Sequence, residues 1–364
     1  MLQRTIPAFS TPSSAQSNGF TNLRGWYISV SSLPLQQHVR STGPPHLNTT
    51  QSKPAMPSFA PDRDIPSLAG KVLLITGGTA GLGLGSTTEL SKHSPAHIFF
   101  TGRNRKSADS LISKLSTSAP NVKITFIPCD ISSLNSVREA AAAFIAQAQR
   151  LDILMLNAGI MAVDPSLSVD HYEIQFATNY LGHTLLVRRL LPLLERTAEQ
   201  HGDARIVNLT STAYGQAPSN GVDFATLKTN QASLGGMLPV PGGKWSRYGQ
   251  SKVAQMLYSQ ELAKRHPTLT SVSVHPGVIQ TALFDHVDFF TKLPTMFFKK
   301  TPLEQGHWQQ CWAATCPKSG LKNGEYYEPV GVVGIRTTRA SKDMQLAAKL
   351  WEWTEKELDA FERK

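Results

Sequence analysis

Carboxylates are missing from the first 61 residues of this 364-residue chain; the first is Asp62. The same stretch shows no hydrophobic period and is rich in Ser, Pro, Thr and Gln, so it is expected to be disordered. A mitochondrial-type leader would also be acid-free and Arg-bearing, but Pro7, Pro12 and Pro34 interrupt any amphipathic helix. A third reading starts translation at Met56. Cysteine is nearly absent too: Cys129, Cys311 and Cys316 are the whole set. An odd, sparse set excludes a disulfide framework and fits a reducing compartment, read here as the cytoplasm. No Cys or His pairs stand at zinc spacing, so no metal is expected, and Cys311 and Cys316 read as core packing. No run of about 18 apolar residues occurs, which argues against a membrane-spanning helix.

Charge of one sign is in excess, 36 Lys and Arg against 26 Asp and Glu. The basic residues are dispersed, whereas a nucleic-acid surface clusters them. An anionic small molecule and a basic leader explain the surplus, so no nucleic-acid partner is expected.

From Pro66 onward, short apolar runs alternate with helical patterns. The runs are Lys71–Thr76, His97–Thr101, Lys123–Pro128, Leu151–Leu156, Arg205–Leu209 and Thr270–Val274. They are mostly continuous rather than alternating, as in strands buried on both faces of a parallel sheet. Helical patterns cover Ser133–Arg150, Tyr172–Leu194 and Trp245–Arg265. The expected fold is α/β: one Rossmann-type doubly wound parallel sheet with helices on both faces. Residues 1–64 read as an extension and 65–364 as the domain, with an inserted loop over 215–243.

A glycine-rich turn follows the first strand. Gly77 permits the tight turn, Gly81 lets backbone approach a pyrophosphate, and Gly83 lets the next helix pack closely; Leu82 lies between them. The helix N-terminus then offers free N–H groups to the anion. About 20 residues on, an NAD-binding chain carries a carboxylate for the ribose hydroxyl. Here Thr101-Gly102-Arg103 offers a guanidinium instead, which suits a 2′-phosphate and predicts NADP. Asp130 and Ile131, after the third strand, are candidates to meet the adenine; an isolated Asp there also reads as a helix cap.

Tyr248 and Lys252 stand four apart in a helical segment and so share a face. An ammonium near a phenol favours the phenolate and is expected to lower its pKa, making Tyr248 a general acid/base. Ser211 ends the fifth strand, where α/β sites lie, able to hydrogen-bond a substrate oxygen. Asn157-Ala158-Gly159 ends the fourth strand with small residues near the cofactor. Asn179 sits mid-helix, where Asn is a poor helix former, and reads as holding a water or a backbone carbonyl in a proton relay. After the sixth strand, Pro276 and Gly277 direct the chain so that N–H groups of Ile279 and Thr281 meet the nicotinamide carboxamide.

These motifs, in this order, resemble the short-chain dehydrogenase/reductase family over about residues 66–290. The run Asn179–His183 and the segment Gly324–Gly331 look like its retinol-dehydrogenase and WW-domain-oxidoreductase branch and like reductases of fungal secondary metabolism. The resemblance implies that Tyr248 is the acid/base, Lys252 holds the ribose, Ser211 polarises the substrate oxygen and Asn179 anchors a relay water. It further implies a small-molecule substrate and a homodimer or homotetramer. Leu156 stands where the family commonly has Asn, and the 215–243 insertion lengthens the usual path from Ser211 to Tyr248. The aromatic-rich segment 282–303 looks like a substrate lid and suggests an apolar substrate. The rival readings are an NAD-linked alcohol dehydrogenase and an NADP(H)-binding regulatory protein without turnover.

Overall fold

A computed structural model of the chain describes residues 59–235, 242–279 and 302–364. Residues 1–58 of the N-terminal extension, Thr281 and nearly all of the 282–303 lid lie outside the described residues. The extension's end, expected to be disordered, is instead ordered, with a helical turn over Pro61–Asp64 and Phe59 edge-on to Trp308 at 6.2 Å.

Six apolar runs become six parallel strands: β1 Val72–Ile75, β2 His97–Gly102, β3 Lys123–Pro128, β4 Ile153–Leu156, β5 Arg205–Leu209 and β6 Thr270–Val274. Two short strands, β7 Tyr326–Glu328 and β8 Val332–Val333, complete the sheet in the order β3-β2-β1-β4-β5-β6-β7-β8. Only β8 is antiparallel. The order reverses between β1 and β4, so the crevice beyond their carboxyl ends is where a doubly wound sheet binds ligands.

The main helices are α1 Gly81–Ser91, α2 Arg105–Ser118, α3 Leu134–Ile145, α4 Gly182–His201, α5 Gly242–Arg265, α6 Trp308–Thr315 and α7 Met344–Glu362. Successive strand residues point to opposite faces. Leu74, Phe99 and Ile206 pack with Val137, Leu190, Leu257 and Leu350, which belong to α3, α4, α5 and α7. Leu73, Ile75 and Val207 pack on the other face with Leu90, Leu111 and Cys311 of α1, α2 and α6. Two dry cores with a sheet between them make the doubly wound architecture, and Cys311 and Cys316 are buried free thiols as expected.

Helical boundaries differ from the sequence pattern: α3 ends at Ile145 rather than Arg150, and α5 begins at Gly242 rather than Trp245. Where one helix is expected over Tyr172–Leu194, Leu167 bridges to Glu173, a short turn spans Ile174–Phe176, and Ala177–Leu181 is π-helical before α4 begins. The Glu173 carboxylate accepts from the Phe176 N–H at 2.7 Å and caps the Ile174–Phe176 turn. The described part of the expected insertion is not all irregular. Thr212–Gln216 forms a 3₁₀ turn. Gln231 anchors the segment to α5, accepting from Gln250 at 2.8 Å through Oε1 and from Arg247 at 3.1 Å through its carbonyl.

Candidate active site

A cavity of about 390 Å³ opens above the carboxyl ends of β1 to β5. Gly77, Gly81 and Leu82 form one wall; Arg103, Asp130 and Ile131 form a second; Asn157, Ala158, Gly159 and Lys252 form the inner end. The glycine turn leaves little room for side chains. Gly77 has φ of 68°, and a Cβ there would come within 3.0 Å of the Ala158 backbone. A Cβ on Gly83 would lie 2.2 Å from the Gly77 carbonyl oxygen. With Asn157 Nδ2 only 2.5 Å away as well, Gly83 lets the start of α1 lie tight against the ends of β1 and β4. Gly81 has φ of 53° with open space beyond its Cα. No side chain caps α1, which leaves its first-turn N–H groups to an anion.

Arg103 is exposed at the cavity's rim, whereas Arg105 is committed to Asp109 at 2.9 Å. Asp130 lines the cavity, with Oδ1 accepting from the backbone N–H and hydroxyl of Ser132. This turn fixes the carboxylate in place.

Tyr248 and Lys252 share a face of α5, with the Lys252 Nζ 5.4 Å from the phenol ring centroid. Ser211, at the end of β5, lies near enough to the phenol to draw its pKa down, while its Oγ accepts from Ala213 N at 3.2 Å. Gly249 makes that meeting possible: a Cβ there would strike Ala217 N at 2.5 Å and Ala213 O at 2.7 Å. The 3₁₀ turn after Ser211 thus lies directly on α5.

The electrostatics differ from the sequence expectation. Burial pushes the Tyr248 phenol up to about 12, and Ser211 pulls it only partly back. Lys252 does not lower it. Its Nζ donates to the Leu209 carbonyl at 3.0 Å and to Gln255 Oε1 at 2.8 Å, and burial brings the amine down to about 7. Asn179 grips the neighbouring backbone. Its Oδ1 accepts from Ile160 N at 2.8 Å, while Nδ2 donates to Ile160 O at 3.0 Å and Ser251 Oγ at 2.9 Å. Of the two duties expected of this residue, its side chain performs the second, holding a backbone carbonyl.

Other expected residues stand further out. Gly83, Asn179, Ser211, Tyr248, Pro276, Gly277 and Ile279 are not among the residues that line the cavity, and Thr281 lies outside the described residues. Ile279 is buried, and its Cδ1 and the Leu82 Cδ2 would each lie 2.9 Å from a Cβ on Gly306.

Several residues at the site escape a reading of the sequence. Gln255 and Asn208 clasp Lys252: Gln255 Nε2 donates to Asn208 Oδ1 at 3.0 Å. A polar amide three residues beyond the lysine, on its buried face, is the available signal. Met161, Ala162 and Trp245 gather around Tyr248 as an apolar wall, Trp245 edge-on at 5.8 Å. Among the described residues, no group of three or more His, Cys, Asp or Glu could hold a metal ion, and no helix is long and apolar enough to cross a membrane.

Comparison with known proteins decides the family. A family model described as short chain dehydrogenase matches residues 71–229. An uncharacterized oxidoreductase of Schizosaccharomyces pombe is 38% identical over 303 residues, spanning 80% of this chain and 86% of that protein. The chain belongs to the short-chain dehydrogenase/reductase family. A short-chain dehydrogenase/reductase of Aspergillus calidoustus is 34% identical over 322 residues, which cover 84% of this chain and 97% of its own. An uncharacterized protein of Mycobacterium paratuberculosis superposes with a TM-score of 0.62 at 26% identity, over 82% of this chain and 97% of that one. Fold, family and the general class of oxidoreductase are thereby set for this short-chain dehydrogenase/reductase.

Proposed function

We propose that this short-chain dehydrogenase/reductase is NADP(H)-dependent and interconverts a carbonyl and an alcohol on an apolar small molecule, with Tyr248 as general acid/base. The observation that carries this reading is that Tyr248 and Lys252 share a face of α5, with the Lys252 Nζ 5.4 Å from the phenol ring and at the inner end of the cavity. The cradle fits a dinucleotide. Gly77 and Gly83 occupy positions that a Cβ would close, and the uncapped start of α1 faces an anion. Bound there, the nicotinamide supplies or accepts the hydride. Arg103 suits a 2′-phosphate, and Lys252 suits the ribose hydroxyls.

Ser211 orients the substrate oxygen. Tyr248 is placed to give its proton to a carbonyl oxygen in reduction and, as the phenolate, to take one from an alcohol in oxidation. Asn179 fixes Ile160, and hence the backbone beside Gly159, at the inner end of the cavity. The Met161, Ala162 and Trp245 wall excludes water and accommodates an apolar substituent.

The division into an extension, 1–64, and an oxidoreductase domain, 65–364, belongs to the same proposal. So do the cytoplasmic location and a homodimeric or homotetrameric assembly. Purified protein given NADPH or NADH and a panel of apolar ketones and aldehydes tests the reading. Consumption of NADPH in preference to NADH is expected; preference for NADH would favour the NAD-linked alternative, and binding without turnover the regulatory one.

A further inference from the structure

His183 lies in the first turn of α4, is 2% exposed, and touches both halves of the site. Its Nδ1 is 3.0 Å from the Asn179 carbonyl oxygen. Its Nε2 is 2.9 Å from the hydroxyl of Thr76, the residue between β1 and the glycine turn. That hydroxyl in turn accepts from Asn157 N at 2.9 Å and Ala158 N at 3.0 Å. The proton positions come from chemistry. A carbonyl only accepts, so Nδ1 carries the hydrogen. Backbone amides only donate, so the Thr76 oxygen spends its lone pairs on them and its own hydrogen is free to point at Nε2. The competing acceptor, Met155 O, is farther, at 3.4 Å. Each donor and acceptor in the chain is matched once the ring is neutral. Burial and the nearby Lys252 keep it so, bringing the imidazole down to about 4.

We propose that His183 is a positioning residue that couples the dinucleotide-cradling turn to the π-turn bearing Asn179, gripping Thr76 with one ring nitrogen and the Asn179 carbonyl with the other. The geometry is independent of the reaction; only the kinetic part of its test rests on the oxidoreductase reading. The Asn179 side chain holds the Ile160 backbone and the Ser251 hydroxyl, and Ser251 donates to the Tyr248 carbonyl at 2.7 Å. A shift of the π-turn would therefore move both the cavity's inner end and the catalytic helix. In the other direction, Thr76 fixes the amides on either side of the Asn157–Ala158 bond, which abut Gly77. Among the described residues, His183 is the side chain that bonds both turns.

Two substitutions separate the halves of the bridge. The Asn side chain reaches the Nδ1 position, so His183→Asn keeps the Asn179 contact and loses Thr76. The Gln side chain reaches the Nε2 position, so His183→Gln keeps Thr76 and loses Asn179. On the full chain, His183→Asn should weaken NADPH binding, read by fluorescence titration, about tenfold, and leave kcat within about threefold. His183→Gln should do the reverse, lowering kcat about tenfold with NADPH affinity within about threefold. Parallel losses in both quantities that track a drop in Tm, or no change in either, would make His183 an ordinary packed residue. Imidazole nitrogen shifts in histidine-labelled protein read the bridge without turnover. A neutral ring protonated at Nδ1, constant from about pH 5 to 8, is expected. The opposite tautomer, or a ring that titrates within that range, would overturn the proposal. A protein that binds NADPH and shows this tautomer yet turns over no substrate would sink the enzymatic reading and leave the bridge standing.

Discussion

Lys252 and Gln255, one turn apart on α5, are joined by a 2.8 Å hydrogen bond from Nζ to Oε1, and Gln255 is itself clasped by Asn208 on β5. The amine at the inner end of the cavity is thus aimed by a carboxamide that the strand holds in place. Replacing Gln255 by Leu removes the acceptor and leaves Asn208 Oδ1 without its donor. Each unmet buried polar group costs about 1–3 kcal/mol. The variant is expected to lose several degrees of Tm, and the loss of a partner for the ammonium should depress the Lys252 pKa further. The alkaline limb of the kcat profile should then move to lower pH. An unmoved limb would detach Gln255 from the amine's chemistry.

Gly249 carries the closest backbone approach at the site. Gly249→Ala would drive a methyl to 2.5 Å from Ala217 N and 2.7 Å from Ala213 O, neither of which can swing aside. Overpacking of this kind costs about 1–3 kcal/mol and should push the Ser211 turn away from Tyr248. Thermal unfolding and kcat, measured together, check it: both are expected to fall, and kcat by more than tenfold.

Arg103 stands at the cavity rim without an ion pair among the described residues. Arg103→Ala should weaken NADPH binding by about tenfold to a hundredfold while leaving NADH nearly unaffected, since a charge-assisted pair contributes about 1.5–3 kcal/mol. Titration with both dinucleotides reads the selectivity. Equal losses for the two would show that Arg103 does not meet a 2′-phosphate.

Trp245 and Met161 form the apolar wall beside the phenol. Trp245→Ala should raise KM for bulky apolar carbonyls about tenfold or more, and change KM for a three-carbon ketone little, because only large substituents reach the wall. A uniform rise across the panel would argue for a general packing defect instead.

Acid should destabilise the fold through buried imidazoles. Burial lowers His97, His183 and His275 from 6.5 to about 4 each. The unfolded chain therefore takes up protons first as pH drops, and the stability from neutral rings is present above 6.5 and lost progressively toward 4. Tm is expected to fall over that window. His97, remote from the site and 2.8 Å from Thr125 Oγ1, gives the clean control: His97→Gln should make the decline shallower. A decline as steep as in the native chain would remove His97 from the effect.

Much of the molecule is legible in the sequence because it depends on local pattern. Short runs rich in Val, Ile, Leu and Phe announce the strands, and Gly77 and Tyr248-x-x-x-Lys252 announce their chemistry by spacing. The start of the helical segment at Ile174 is not legible, since the Glu173 carboxylate, not a propensity, caps it, and the π-turn at Asn179 carries no sequence signal. β7 and β8 are too short to carry a hydrophobic period and form only because β6 offers an edge. The direction of the Tyr248 shift is hidden for a related reason. Spacing reveals a neighbouring ammonium, but the burial that outweighs it, and the acceptors that turn the ammonium toward β5, belong to the tertiary structure.

Whether the phenol of Tyr248 hands over the proton is tested most directly by Tyr248→Phe, compared with the native chain for NADPH-driven reduction of apolar ketones, alongside NADPH affinity. General acid catalysis contributes about a hundredfold to ten-thousandfold, so kcat should fall by that factor while NADPH still binds. Turnover undiminished in the Phe variant would contradict the assignment of Tyr248 as the acid.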